Sequence, residues 1–510
     1  MHFFSELIVW LYAASIIILS IYGLNLLVLS LIQAFRELTK TGLPSAGETG
    51  EPLGPDPPHV TIQLPIYNEA HVVRRIIDAC ARLSYPRHRF EIQILDDSDD
   101  ETSGIIADCV RRWKHEGIDM VHVQRNSRDG FKAGALKHGT ALAKGDLIAI
   151  FDADFVPQTS FLEQTIPHFN EPNVGMVQAR WGHINEDHSL LTRIQAFGLD
   201  AHFALEQRVR SATDCFINFN GTAGVWRRTC IEDAGGWSSE TLTEDLDLSY
   251  RAQLKGWKFV YKPDIEVPAE LPVSMNAFRD QQFRWTKGAL QTARKTLGPL
   301  WKSSHPPRVK WEGTIHLSAI AVFPALALAA LCHPALIVIR ESGHGPGPTY
   351  FGFLSVGMIG LVGFFLAQVI AQRSLYTDWA HRLWNFPLFM SGGIGMSLNN
   401  CRAFLDVILG RQTEFVRTPK HDVLSEVGRD LWLQSPYTKN QIPVIAYVEA
   451  IFALYSIIGL GYMIAVGAWT AIPFQIVFAT GFLFVSGTNL VQFGRARSRP
   501  VGLASGRAIM

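Results

Sequence analysis

The distribution of apolar and polar positions divides the chain into three textures. Leu7 to Phe35 runs 29 positions without a charged residue, more than the roughly 20 apolar residues that carry a helix across a bilayer. The segment before it, MHFFSE, lacks a basic n-region and the apolar run exceeds a leader's h-region, so residues 1–35 are expected to form a transmembrane helix, not a cleaved signal. Arg36 and Lys40 follow the span and only an acid precedes it, which places the amino terminus outside and the next segment in the cytosol. Residues 36–57, rich in Gly, Pro and Ser, read as a linker.

From His59 to about Leu300 short apolar runs alternate with amphipathic stretches, the pattern of an α/β domain with a largely parallel sheet. Strands are expected at His59–Leu64, Phe90–Leu95, Asp119–Gln124 and Leu147–Phe151. Helices are expected at Asn68–Leu83, with Asn68 as N-cap, at Asp100–Glu116 and at Phe131–Lys144. After Trp311 the chain turns apolar again. Gly313–Ile339 and Tyr350–Ala371 are two further spans, and two more lie between about Pro443 and Phe493, broken near Gly467–Pro473. Leu383–Leu409 is expected to be interfacial or partly re-entrant, because Asn399, Asn400, Arg402 and Asp406 are expensive at the bilayer centre. Five spans return the carboxyl terminus to the cytosol, where Arg495, Arg497 and Arg499 agree with the charge bias. Glu449 then falls within the fourth span and is expected to face protein or a water-filled path. Trp384 and Trp469 read as interfacial anchors.

Composition supports the membrane assignment: 48% of residues are hydrophobic and only 18% charged. A net charge of +0 gives no basic field for nucleic acid, so polynucleotide partners are not expected. Six cysteines are scattered without a two-residue spacing, which points to free thiols in a reducing compartment.

Candidate chemistry concentrates in the α/β part. In DLIAIFDADFVP a buried strand ends in Asp152 and Asp154, and ligands of open α/β sheets bind at the carboxyl ends of strands. Two carboxylates one residue apart suit a hard cation carrying a diphosphate, although an isolated Asp-Ala-Asp is more often a solvated turn. A second strand also ends in acid, at Asp96, Asp97, Asp99, Asp100 and Glu101, which demands a cation, hydrogen-bonding partners or exposure. NFNGTAGVWRR, from Asn218, is a Gly-rich loop whose backbone can approach a ligand. TLTEDLDLSY puts Glu244 and Asp245 in a helix's first turn, with Thr243 as N-cap, where the helix dipole alone also favours acids. QQFRW, Gln281 to Trp285, gathers an amide, a guanidinium and an indole just before the membrane region.

The ordered set of DD, DAD, TED and QQFRW resembles the processive membrane glycosyltransferases of family 2, which include cellulose, chitin and hyaluronan synthases. The longer strings QLPIYNE, LDDSDDET, GFKAGALKHG, VQARWGHIN and TEDLDLSYRAQLKGWKF look most like the cellulose-synthase-like A group, the glucomannan and β-mannan synthases, and their bacterial relatives. FVRTPKH, Phe415 to His421, is similar to the gating loop of the cellulose synthases, with Arg417 and Pro419 departing from the commonest form. The resemblance implies a GT-A fold over residues 58–300, followed by a membrane region over 301–510, and a sugar-nucleotide donor, GDP-mannose or UDP-glucose. Pro65, Tyr67, Glu69, Asp96 and Asp97 would bound the nucleoside pocket, Lys132 would approach the diphosphate, and Gln281 and Arg284 would bind it. Asp152 and Asp154 would hold Mg²⁺ or Mn²⁺. Asp245 would be the catalytic base. Trp285, Asn220, Gly221 and Glu244 would meet the acceptor, and Phe415, Thr418 and Lys420 would gate the site. The implied partners are a glycan or glycolipid acceptor and membrane lipids, with the domain on the cytosolic side of a bacterial inner membrane or a Golgi-like one. A single base favours inversion, from an α-linked donor to a β-linked product. The alternatives are transfer to a lipid acceptor and, in another class, a transporter with a nucleotide-binding domain.

Overall fold

A computed structural model describes residues 2–39, 53–413, 415–423, 432–435, 437–438 and 441–498. The linker expected at 36–57 lies outside the described residues from 40 to 52.

The domain is built on one seven-stranded sheet of order β3-β2-β1-β4-β6-β5-β7. Its strands are β1 (Val60–Ile66), β2 (Phe90–Asp96), β3 (Met120–Gln124), β4 (Leu147–Ile150), β5 (Val174–His183), β6 (Gly224–Arg227) and β7 (Lys258–Ala269). The first half, β3-β2-β1-β4, is wholly parallel. Helices on both faces bury it, which is why β2 and β4 are buried at every position and read in sequence as near-continuous apolar runs. β6 then runs antiparallel to both β4 and β5, and β5 pairs parallel with β7. Register matters for function: Ile66 is level with Asp96, and Gln63 with Ile150, so the loops after β1, β2 and β4 open on one edge. All six cysteines are free.

Two expected caps take other forms. Asn68 is not an N-cap: it sits at φ 54, and the helix begins only at Val73. Its short polar side chain tolerates the left-handed region, and it staples the loop after β1 to the loop after β2, donating to Asp99 Oδ1 at 2.7 Å and accepting from Asp99 N at 3.0 Å. Thr243 does stand at the N-cap of the helix Glu244–Leu254, but its side chain makes no capping hydrogen bond. The turn's amides are served instead by Asp245, whose Oδ1 accepts from Leu246 N at 2.8 Å.

Among the described residues, five helices are long and apolar enough to cross a membrane: Phe3–Thr39, Pro307–Gly343, Pro348–Leu375, Val444–Ala465 and Ile472–Ser498. The helix Met275–Lys302, N-capped by Ser274, connects the domain to them. The ambiguous segment contains the helix Phe386–Ile408, which is not among the five. It wedges between the connecting helix and the last helix: Asn399 donates to Arg279 O at 3.1 Å, and Ser391 meets Thr480 at 2.9 Å. Its polar second half faces the connecting helix, Asp406 lying 3.7 Å from Lys287 and Arg402 stacking 4.6 Å from the Phe283 ring, so the polar groups that make it a poor span are spent on protein. Glu449, fully buried, pairs with Arg279.

Candidate functional site

At the edge where β1, β2 and β4 end, a cleft of about 1310 Å³ opens between the sheet, the start of the helix Glu244–Leu254, the connecting helix and the segment from Phe415 to Lys420. Of the residues singled out in the sequence, Pro65, Tyr67, Glu69, Asp97, Lys132, Asp152, Asp154, Asn220, Gly221, Glu244, Asp245, Gln281, Arg284, Trp285, Phe415, Thr418 and Lys420 all line it. Asp96 does not. Its carboxylate is buried behind the cleft, accepting from Ser98 N at 2.9 Å, Ser103 Oγ at 2.6 Å and His122 Nε2 at 2.8 Å. Burial alone would raise Asp96, but these hydrogen bonds outweigh it and carry the group down to about 2. The neighbouring Asp97 turns toward the cleft, clasped by Arg125 Nε at 2.9 Å.

One side of the cleft is formed by the turn after β1. The Arg128 guanidinium lies 3.3 Å from the centre of the Tyr67 ring, a flat stack that extends to Phe131 at 5.2 Å. Phe131 in turn stacks on Phe415 at 5.9 Å and 26°, with Arg284 4.7 Å from the far ring and donating to Val416 O at 2.7 Å. Gln281, Arg284 and Trp285 reach the cleft together because positions i, i+3 and i+4 share one helix face.

Charge is paired across the loops. Lys132 Nζ donates to Asp152 Oδ1 at 2.5 Å and to Gly221 O at 2.9 Å. Lys420 Nζ donates to Asp154 Oδ2 at 2.5 Å and to Glu270 O at 2.7 Å, and Arg417 pairs with Glu69 at 3.0 Å. Asp245 stands beside Glu244; burial first, then the charge of Glu244, pushes Asp245 up to about 7 against the pull of Lys132. Burial likewise raises Glu244 and Glu270, and pushes Glu69 up to about 8 despite Arg417. Gly221 is a position where glycine is required: at φ +83 it sits in the left-handed region, and a Cβ there would lie 3.0 Å from Asp245 Oδ2.

Asn220 is held by a device that periodicity does not reveal. The helix Leu190–Ala201 continues through a π-turn, His202–Gln207, into Arg208–Ala212. That wider turn brings positions five apart onto one face. Gln207 Nε2 donates to Asn220 Oδ1 at 2.8 Å and to Asn218 O at 2.9 Å, while Asn220 Nδ2 meets His202 Nε2 at 3.2 Å. Burial lowers His202, so its neutral ring accepts from the amide. On its other side the same segment packs against the membrane helices, Leu205 against Leu29 and Ala204 against Ala371.

The residues present suit a divalent cation. Among the described residues no group of three or more His, Cys, Asp or Glu side chains is arranged to hold a metal alone. A two-carboxylate site completed by substrate phosphates is, however, the usual form for Mg²⁺. Here Asp152 and Asp154 each carry an ammonium group, a stand-in positive charge on the oxygens a cation would take. The cleft is lined by seven carboxylates against five basic side chains, two of the latter from the 415–420 segment. A divalent cation would offset the excess of acidic side chains in a site of this composition.

Sequence reasoning passed over Arg125, Arg128, Glu270, His202 and Gln207. Arg128 precedes the recognisable GFKAGALKHG string by two positions; the others carry no local signal.

Residues 57–288 match the family model described as glycosyltransferase like family 2. The chain is 42% identical over 300 residues to glucomannan 4-beta-mannosyltransferase 1 of Oryza sativa subsp. japonica, covering 56% of each chain. It is 43% identical over 253 residues to glucomannan 4-beta-mannosyltransferase 7 of Arabidopsis thaliana, covering 49% of this chain and 46% of the relative. It thus spans about half the length of the curated relatives it matches. Among solved structures, a mannosyltransferase from Pyrobaculum calidifontis, in complex with GDP-Man and Mn²⁺, superposes with a TM-score of 0.53 at 21% identity, covering 79% of this chain and 100% of that one, which shows a shared fold.

Proposed function

We propose that this chain, whose residues 57–288 match the glycosyltransferase like family 2 model and which carries helices long and apolar enough to cross a membrane, transfers a hexosyl group from a nucleoside diphosphate sugar to a growing β-linked glycan. The observation that carries the reading is the convergence in one cleft of Asp152 and Asp154, the Lys132 and Arg284 cations, the raised carboxyl of Asp245 and the Trp285 indole, drawn from separate stretches between Lys132 and Trp285. The donor we favour is GDP-mannose over UDP-glucose, on the likeness to the glucomannan mannosyltransferases.

In this reading the nucleoside lies against the Tyr67–Arg128 stack with Asp97 at its edge. Lys132 and Arg284 face the diphosphate, where they stabilise the charge that accumulates as the glycosidic bond breaks. Asp152 and Asp154 would hold Mg²⁺ or Mn²⁺, which when bound supplies further neutralisation of the leaving group. The acceptor sugar stacks on Trp285. Asp245 takes the proton of the attacking hydroxyl: its raised carboxyl is a stronger base than an ordinary aspartate and is still ionised in part near pH 7. Attack in line with the departing diphosphate inverts the anomeric carbon. The Gly221 backbone lets the acceptor loop lie against this base. Glu244 sits beside the base on the acceptor side, and Phe415, Thr418 and Lys420 close the cleft.

We place the domain in the cytosol and pass the product outward between the helices, with the connecting helix, clamped to the bundle through Arg279 and Glu449, bringing the acceptor site to the membrane. The test is detergent-solubilised protein with Mg²⁺ or Mn²⁺ and a panel of nucleotide sugars, following nucleoside diphosphate release and sizing the product by gel filtration. A β-linked polymer from GDP-mannose is expected. A single-sugar lipid adduct would replace the polymer reading with glycolipid synthesis, and an α-linked product would refute inversion.

A further inference from the structure

Away from the catalytic cleft, a trough of about 890 Å³ runs between the N-terminal helix and the beginning of the helix Pro307–Ser318. The two helices are antiparallel, pinned where Tyr22 donates to Ser318 O at 2.7 Å and Asn25 to Glu312 at 3.4 Å. One wall of the trough is apolar, and its side chains are open to the outside: Leu24 is 40% exposed and Val28 50%. A second apolar hollow shares Val28 and Ile32 with it and carries the surface on to Arg36. The end of the trough is different. There stand Arg308 and the half-exposed indole of Trp311. The nearby acid Glu312 is engaged inward, 3.7 Å from Arg210 and bonded by Asn25, and among the described residues neither Arg308 nor Arg36 has an ion-pair partner.

An open apolar channel ending in uncommitted guanidinium groups and an indole matches one class of molecule: an amphiphile with a long hydrocarbon chain and an anionic head. A nucleotide or sugar would leave the apolar wall dry, and a zwitterionic head would leave Arg308 without net countercharge. The charge bias of the flanking segments puts the arginine end on the cytosolic side, at the level of phosphate headgroups. We propose that this trough binds an anionic phospholipid of the cytosolic leaflet, its acyl chain along Leu24 and Val28 and its phosphate on Arg308. Thr213 and Cys215 form the floor. They belong to the segment leading into the Asn218–Gly221 loop, so an occupied trough braces the N-terminal helix against that segment. The proposal rests on the membrane reading of the chain and is independent of the transferase reading.

The test uses the full chain in a neutral detergent, titrated with phosphatidylglycerol or with phosphatidylcholine of the same chains, reading Tm and the lipid retained in native mass spectrometry. Phosphatidylglycerol is expected to raise Tm and to be retained with one-to-one stoichiometry; phosphatidylcholine, glycerophosphate and inorganic phosphate are expected to do neither. Arg308→Glu removes the headgroup contact and Leu24→Trp fills the channel, and each is expected to weaken phosphatidylglycerol about tenfold or more. Both positions are exposed, so folding is retained, and Lys114→Glu on the far side of the domain is expected to bind as the parent does. Equal binding of the two lipids, a parent-like response of Arg308→Glu, or a matching Tm shift from inorganic phosphate would overturn the site. Recovery of the chain in the soluble fraction would overturn the membrane premise instead, leaving the transferase reading to its own assay.

Discussion

Substituting Asp245→Asn separates catalysis from stability in a way that a buried base beside a second carboxylate produces. The carboxyl is lifted from an ordinary 3.8 to about 7, by burial and then by Glu244. For an acid raised in the native state, the folded chain binds the proton more tightly than the unfolded chain across that window. Stability is therefore present at low pH and lost as pH rises from about 4 to 7. At 1.36 kcal/mol per pH unit, the ionised base costs the empty protein at most about 4 kcal/mol at pH 8. Asn keeps the shape and cannot ionise. It is expected to raise Tm at pH 8, with a gain that shrinks toward pH 4, while kcat falls by about 10² to 10⁴. In the parent, log kcat/KM should climb with unit slope, bend near pH 7 and reach its plateau above it. Glu244→Gln, by removing the neighbouring charge, should move that limb to lower pH, though burial keeps it above an ordinary aspartate. Scanning fluorimetry against pH and initial rates of nucleotide release measure both arms. Asn variants retaining more than a third of the parent rate, or a Tm gain independent of pH, would refute the reasoning.

Gly221→Ala is expected to cost about 10² or more in kcat with little change in donor KM, because the new Cβ meets Asp245 Oδ2 at 3.0 Å in a left-handed backbone; a parent-like kcat argues against a tight base pocket. Lys420→Met should tighten Mn²⁺ binding in the absence of donor, read by electron paramagnetic resonance, since Asp154 then loses its internal countercharge; unchanged Mn²⁺ affinity would mean the cation does not use Asp154. Gln207→Leu should lower transfer to acceptor more than binding of nucleotide, measured by turnover against calorimetry, because it releases one end of the Asn220 amide; equal losses in both would indicate general unfolding. Arg279→Leu alone should destabilise by about 3–5 kcal/mol through the orphaned Glu449 charge, and adding Glu449→Leu should recover most of it. A denaturation series in detergent compares the two variants.

Much of this protein was written locally. Doubly buried strands make apolar runs, and acids follow them where the sheet opens, so β2, β4 and the Asp152–Asp154 pair were readable without a structure. Asp245 was readable as a first-turn acid, because the helix dipole favours carboxylates there, whereas QQFRW showed only a cluster of polar and aromatic groups, and the helix Met275–Lys302 put Gln281, Arg284 and Trp285 on one face. The five apolar helices follow from length and composition. What sequence left open depends on which strangers meet. Asp96 and Asp97 look alike in the string. Yet successive residues leave an extended chain on opposite sides, and only the sheet shows that one side holds Ser103 and His122 while the other opens on the cleft. Asn68 reads as a cap until Asp99 captures it. The polar face of Phe386–Ile408 reads as a failed span until the connecting helix supplies partners. The ammonium groups on Asp152 and Asp154, the Arg128 stack and the π-turn hold on Asn220 all join residues from 13 to more than 250 positions apart. Such contacts carry no periodic trace, because their geometry is set by how the sheet, the membrane helices and the loop at 415–420 pack together.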